Sequence, residues 1–461
     1  MKKKILLSAL AVSLVSSLNA ADDLASMFSE GKASGQIRMF YVDRDISKGA
    51  TDTHRNSTAI GGHLKYETAD YKGLSLAAAF YTTNDIPWLD YTDNDGLDGK
   101  KDPSLLGTGF DSYSIIGEAY VNYDMSSLGT KTTAKLGLQR YDTPMIGSDD
   151  ARMLPNTFEA YKFVNKDIDN LTLQVAQVMS VAYGTFSNIY VEKADGTVRP
   201  GGILGATAGY SSIGSATGEY NNVGKAAVGK RTNGITNIQA KYKAKNFNVT
   251  FSDDYAWDLY NTLYLDAGFA MNGFFANAQM IKQDSVGDEY MKYSGIAGTS
   301  GEIDSLYWAA KAGIKMAGVT AYAAYSQTGA NSDEDKSNGN TFANAIVSQF
   351  GGMPAYTQGM VTRHQFLAGT DTYKLAASYS FKEMGTNLSM SAYYVSFDMD
   401  ANSGYGGART ATEPGFDIKY YPSLVKNLQL RFRGNFPRDF ADNGTATAGW
   451  NEYRFIANYN F

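Results

Sequence analysis

The sequence predicts an all-β protein: a transmembrane antiparallel β-barrel of about 18 strands, with short turns at one end and long loops at the other. Three observations predict it. Segments of roughly ten residues with every second position apolar recur along the chain, and two is the strand period. The connections between these segments alternate between short and long. The composition is rich in Tyr (33), Phe (23) and Gly (47) and poor in Pro (9). Mean hydropathy is nevertheless only −0.31, because lipid-facing and lumen-facing residues cancel in any average. A large soluble β-protein shares the composition, but has no reason to sort its loops by length.

The chain opens MKKKILLSALAVSLVSSLNA. Lys2 to Lys4 form a charged region, Ile5 to Val15 a short apolar one, and Leu18-Asn19-Ala20 a small-residue cleavage site. Residues 1–20 therefore read as a secretory signal peptide rather than a buried helix. Residues 21–461 are expected to form one barrel domain, and removal of Lys2, Lys3 and Lys4 takes the formal charge from −6 to −9. No later stretch approaches the roughly 20 apolar residues of a membrane helix. An exported chain without cysteine has no disulfide scaffold, thiolate catalysis or cysteine-bound metal, and three histidines argue against a histidine-rich centre. No cofactor and no metal is expected.

Strand candidates follow in order. SGQIRMFYV presents Ile37, Met39 and Tyr41 on one face; IGGHLKY presents Ile60, Leu64 and Tyr66. LSLAAAFYTT presents Leu74, Leu76, Ala78 and Phe80, and SYSIIGEAYVNYD presents Tyr113, Ile115, Ala119, Val121 and Tyr123. AKLGLQRY, two strands around Asp169-Asn170, IQAKYKA, FNVTFS, LYNTLYLDAG, NGFFANAQMIK, LYWAAKAGIKM, VTAYAAYSQ, YKLAASYSFK, LSMSAYYVSF, GFDIKYYP, LQLRFRGNF and YRFIANYNF complete the set. Short turns fall at 70–73, 124–130, 169–170, 244–246, 316–318, 383–386 and 422–426. Long polar segments fall at 84–111, 142–158, 183–233, 283–302, 328–371, 399–413 and 437–449, which is the pattern of periplasmic turns and external loops. The last strand puts Tyr453, Phe455, Ala457, Tyr459 and Phe461 on one face, toward lipid, and is expected to pair with the first.

The same alternation predicts the lining. Arg454 faces the lumen, as do Arg431 and Arg433 beside Leu430 and Phe432. Arg38, His63, Lys65, Lys135, Gln139, Lys241, Lys243, Lys311, Lys315, Lys374 and Lys419 fall on inward positions; Glu67, Glu118 and Asp417 are the inward acids. A negatively charged chain thus has a lumen biased to positive charge, which concentrates anions. Avoidance of lipid explains why strand lysines point inward, but not why they outnumber acids.

The stretch 140–161, RYDTPMIGSDDARMLPNTFEAY, resembles the OprD-type substrate-specific outer-membrane porins, in its Tyr-x-Thr-Pro, Ser-Asp-x-Arg and Leu-Pro-x-Thr-Phe segments. The resemblance implies a bacterial outer-membrane barrel of eighteen strands, narrowed by an inward-folded constriction loop at 142–158, with Asp149, Asp150 and Arg152 at the eyelet. It also implies passage of small carboxylates along a ladder of basic residues, and an aromatic C-terminus read by the barrel-assembly machinery. Charge proportions and glycine-rich loops are similar to those of Campylobacter-type major outer-membrane porins, which implies a less selective pore. Asp149 and Asp150 are expected to oppose Arg431, Arg433 and Lys135 across the lumen.

Enzymatic readings are weak. Asp52-Thr53-His54, in the first external loop, has the Asp-x-His spacing of omptin proteases; His63 and His364 are badly placed for a phospholipase site. DYTDNDGLDGKKD misses the EF-hand register, and the glycine-rich run near 201–218 lacks the setting of a phosphate cradle. The reading is a passive porin for small hydrophilic, carboxylate-bearing or anionic solutes. The alternatives are a non-selective porin and a surface barrel acting in adhesion. Expected partners are solutes, outer-membrane lipid and lipopolysaccharide, with monomer and homotrimer both open and no nucleic acid.

Overall fold

The structure, a computed structural model, describes residues 21–48, 51–89, 100–190, 216–286, 302–340, 343–347, 349–352, 354–405, 407–442 and 446–461. The expected export signal, most of the acidic stretch 90–102 and most of the glycine-rich run lie outside them.

Eighteen antiparallel strands close into one barrel. They are β1 (Lys32–Lys48), β2 (Thr51–Glu67), β3 (Leu74–Asp85), β4 (Tyr113–Asp124), β5 (Thr132–Gln139), β6 (Thr157–Asn165), β7 (Leu171–Ala182), β8 (Ile235–Lys243) and β9 (Phe247–Ala256). The second half comprises β10 (Tyr260–Met271), β11 (Phe274–Ser285), β12 (Asp304–Met316), β13 (Val319–Thr328), β14 (Thr370–Ser380), β15 (Leu388–Met399), β16 (Arg409–Tyr420), β17 (Leu428–Asn435) and β18 (Ala446–Asn460). Each pairs with its neighbours in sequence. β18 closes on β1 in a continuous register from Gln36↔Asn460 to Lys48↔Ala448.

That closure explains the aromatic C-terminus. The Phe461 N–H donates to the Gly35 carbonyl at 3.1 Å, and the Gly35 N–H donates to the Phe461 carbonyl at 3.0 Å. A Cβ on Gly35 would lie 2.6 Å from the Phe461 ring, so the seam needs glycine there. Outward residues keep the strand period: Ile37, Met39, Phe455 and Tyr459 are exposed, while Arg38, Phe40, Val42 and Arg454 are buried inside. No helix among the described residues is long and apolar enough to cross a membrane.

The turns at one end are tight. Asn272-Gly273 and Ala317-Gly318 all have positive φ, the requirement of a two-residue hairpin loop that matches the strand twist. At the same end the helix Leu24–Ser29 packs Met27 against Ala21 and Ala69 beside the turn at 70–73.

Three expectations are corrected. A bulge opposite Ala79 and Phe80 shifts the register in β4, so Ile116 is exposed outside and Tyr113 and Ile115 pack against the interior apolar cluster. Asp52-Thr53-His54 is not a loop: β1 and β2 extend as one long hairpin, and His54 sits on β2 with Nε2 3.0 Å from the Asp43 carboxylate. The segment between β13 and β14 is not simply external. Ala345, Ile346, Val347, Phe350 and Phe366 are buried inside the barrel, in one apolar cluster with Met145 and Ile146.

The faces give a direct test. Ala310 faces outward in mid-strand, with Ala278 and Tyr325 as cross-strand neighbours. Ala310→Arg is expected to lower folding free energy into lipid vesicles by about 2–4 kcal/mol in a urea titration. Lys311→Arg, one position on and facing the lumen, is expected to change it by less than about 0.5 kcal/mol.

Candidate functional site

The segment 140–156 joins β5 to β6 and turns into the barrel. Its own polar groups fold it: the Ser148 N–H donates to Asp142 at 2.7 Å, and the Asn156 side chain donates to the Gly147 carbonyl at 2.9 Å. It reaches the wall in two directions. The Tyr141 hydroxyl donates to Asn237 on β8 at 2.9 Å. The Asp150 carboxylate lies 2.6 Å from Arg38 on β1, and Arg152 lies 2.9 Å from Glu452 on β18. A chain leaving β5 and touching both β8 and β18 crosses the interior.

The second inward segment, 343–369, meets it there. The Gly147 N–H donates to the Phe350 carbonyl at 3.0 Å, and the Gly352 N–H donates to Asp149 at 3.2 Å. A Cβ on Gly147 would lie 2.6 Å from the Gly352 nitrogen, so the two backbones touch where only glycine fits. Glu413 on β16 anchors this segment, accepting from the Met360 N–H and the Thr362 hydroxyl, both at 2.6 Å. Tyr356 donates to Asp266, and Lys374 donates to the Gln358 carbonyl.

Charge is arranged unevenly. Arg44, Arg152 and Arg454 all engage Glu452, each fully or almost fully buried. Arg44 also pairs with Asp102, whose other oxygen accepts from the Ser104 N–H at 2.9 Å; Arg152 donates to the Ser104 hydroxyl at 3.0 Å. Arg454 donates to Asn435 at 2.9 Å, and Arg152 lies over the rings of Phe40 and Phe186. Burial and the nearby Arg454 push the Arg152 guanidinium down to about 9, against the pull of Glu452, so it stays charged at neutral pH. For Asp150, burial acts to raise the carboxyl, but Arg38 and Arg140 outweigh it and hold it below its ordinary value.

The expected site residues fall into three groups. Arg38, Asp150, Arg152 and Arg454 meet at the β1–β18 seam. Arg431 and Arg433 converge on Asp417, with Arg431 donating a hydrogen bond at 2.8 Å and the Arg433 guanidinium forming an ion pair at 3.6 Å. Asp150 therefore pairs locally with Arg38 and Arg140, and the expected transverse opposition to Arg431, Arg433 and Lys135 gives way to contact pairs, because neutralising a charge at close range is stronger than facing it across water. Asp149 turns toward the second segment instead of Arg431. Lys65 is paired as well, 3.1 Å from Glu67 and 2.7 Å from the Tyr120 hydroxyl, and His63 stacks on Tyr81.

The third group is lysine. Lys135 lies 3.8 Å above the Tyr120 ring, Lys311 lies 4.0 Å above Tyr356, and Lys374 lies 4.8 Å above Tyr393. With Lys162 and Lys241, these have no carboxylate within 4.0 Å among the described residues. Lys135 and Lys162 are directly opposed on β5 and β6. Lys243 lies near the turn end of β8. Sequence reasoning missed Glu452, Arg44, Lys162 and Glu413. Glu452 and Arg44 share the parity of Arg454 and Arg38, and Lys162 is the inward neighbour of the outward Tyr161; Glu413 was hidden because β16 begins inside a segment read as loop.

A model of the outer membrane porins of the OprD family matches residues 26–461. The chain belongs to the OprD family. Solved porins of Pseudomonas aeruginosa share the fold. OccK1 (OpdK) is 15% identical with a TM-score of 0.66, covering 94% of this chain and 99% of that one. OccK9 (OpdG) is 18% identical with a TM-score of 0.65, covering 95% and 100%. OpdK solved with vanillate is 14% identical with a TM-score of 0.66, covering 94% and 99%. No curated protein matches. The chain is thus an outer-membrane porin through which small solutes pass, in a family and fold of channels rather than enzymes.

Glu452→Gln leaves three buried guanidinium groups around a neutral amide. It is expected to destabilise the barrel by roughly 3–5 kcal/mol in thermal or urea unfolding. Asp150 gives a pH signature. Its lowered value means that its stabilisation is fully present above the ordinary carboxylate range, near ~4, and is lost as pH falls through the lowered value. Asp150→Asn should remove that acid-side loss from a series of melting temperatures against pH.

Proposed function

We propose that this porin conducts small carboxylate-bearing or anionic solutes along a basic lumenal track, past an eyelet formed by 142–158. The observation that carries the proposal is the group of unpaired lysines. Lys135, Lys162 and Lys241 line one wall and Lys311 and Lys374 another, each available to a passing anion. An ammonium group held over a tyrosine ring keeps its charge and loses some water, and even Lys374, which gives one donor to the Gln358 carbonyl, retains two. Many weak sites of this kind admit an anion and release it. The inward residues Arg38, Lys65, Lys243, Arg431, Arg433 and Arg454 add positive potential behind the lysines, although most of them are partly neutralised, and His63 lies among them. The OpdK structure with vanillate, a carboxylate, supports a family preference in the same direction.

Purified protein in planar bilayers under a KCl gradient is expected to show a reversal potential of anion-preferring sign; a cation-preferring sign rejects the track. Lys135→Gln with Lys162→Gln is expected to move that potential toward zero while leaving the melting temperature unchanged. Removal of 145–154 is expected to raise single-channel conductance, and unchanged conductance would exclude the segment from the pathway.

A further inference from the structure

A recess of ≈ 540 Å³ opens in the wall at the short-turn end of β12 to β16, on the inner side of the two crossing segments. Its size is within the range of small-molecule sites, about 300–1,000 Å³. The strand register builds it as a row. Lys315 is opposite Thr320, Thr320 opposite Ser378, Ser378 opposite Ser391, and Ser391 opposite Asp417. A second, shorter row sets Ser389 opposite Lys419, and Lys419 opposite Arg431. All of these positions have lumenal parity, with outward Tyr379 and Met390 between them. Neighbouring hydroxyls along the first row are therefore one strand spacing apart, about 4.8 Å.

The first row has the Lys315 ammonium group at one end, hydroxyls between and the Asp417 carboxylate at the other, with the Lys419 ammonium group beside that carboxylate in the second row. The Thr320, Ser378 and Ser389 hydroxyls have no hydrogen-bond partner among the described residues, and Ser391 reaches only the Asp417 carbonyl at 3.4 Å. Lys315 has no ion pair among the described residues. Lys419 lies 3.8 Å from Asp417, but that carboxylate is already engaged by Arg431 and Arg433, so positive charge is in excess; Glu383 at the rim is the one other acid in the lining. Lys374, the nearest unpaired lysine of the proposed track on β14, is four residues from Ser378, about 13 Å along the strand.

We infer that this recess is an exit subsite for a small carboxylate that itself carries several hydroxyl groups, a sugar acid in chemical class. The inference rests on the anion-conducting reading and deepens it. Lys419 or Lys315 takes the carboxylate, and Thr320, Ser378, Ser389 and Ser391 exchange hydrogen bonds with the ligand hydroxyls, each able both to donate and to accept. Water competes with every contact, so the site holds the solute weakly enough to release it on the periplasmic side.

The test uses the full-length porin in planar bilayers with two probes of equal carbon number and one carboxylate each, gluconate and hexanoate, added to either compartment in turn. Current block gives a dissociation constant for each. The triple variant Thr320→Val, Ser378→Ala, Ser391→Ala is expected to weaken gluconate block about tenfold, on the scale of a few neutral hydrogen bonds, and to leave hexanoate block within about twofold. Lys315→Gln with Lys419→Gln is expected to weaken both. Equal gluconate block in wild type and triple variant overturns the inference, and so does equal weakening of both probes. The KCl reversal potential of the same channels reads the anion track separately: an anion-preferring sign with no hydroxyl effect removes the recess alone, whereas a cation-preferring sign removes the track on which it rests.

Discussion

The structure depends on one constraint: hydrocarbon offers no partner to a backbone N–H or carbonyl. A sheet in that medium must have no edge, and here the requirement falls on the pairing of β1 with β18. The register extends through about 43 Å of strand to Phe461, where Phe461 and Gly35 exchange both of their backbone bonds. Gly35 is needed to let the terminal ring lie over the seam. The aromatic C-terminus is therefore a structural part of closure.

Closure creates a second problem, because a wall of eighteen strands encloses more space than its inward side chains can fill. The chain fills the outer half with its own loops. Segments 140–156 and 343–369 meet backbone to backbone at Gly147 and Gly352, and bury Met145, Ile146, Ile346, Val347 and Phe350 against Val178, Ile235 and Tyr260 from the wall. The first loop is fixed at the closing seam. Arg152 from the loop, Arg44 from β1 and Arg454 from β18 share Glu452, and Asp102 brings in a third segment. A charge cluster this buried is costly to desolvate, so its value lies in geometry: each member would be left uncompensated if another moved. The width of the channel is thereby tied to the closure that makes the barrel possible.

Two kinds of cation result. Arginine, with a planar fork of donors, satisfies several carboxylate and carbonyl oxygens at once and is used where parts must be held together. Lysine, a point charge on a flexible stem, stands over tyrosine rings on both walls, and at Lys135, Lys311 and Lys374 it does so with no carboxylate within 4.0 Å among the described residues. Arg38, Arg152 and Arg454 thus hold the first inward segment at the seam, while Lys135, Lys162, Lys311 and Lys374 occupy lumenal positions with no carboxylate within 4.0 Å among the described residues.

The sequence by itself determined the barrel, the number of strands and the face of almost every strand residue. It could do so because the two-residue period is local and the lipid enforces it; a misplaced charge on the outer face is too costly to tolerate. Parity even reached Glu452 and Lys162, had it been followed to the end of each strand, and it failed at β4 because a single bulge inverts everything beyond it. Only the tertiary structure decided how the interior charges pair and that segment 343–369 folds inward. Arg152 finds Glu452 across 300 residues of chain, and Gly147 meets Gly352 across two hundred. Such contacts leave no period in the sequence, since water-filled space, unlike hydrocarbon, accepts many arrangements, and packing alone selects one.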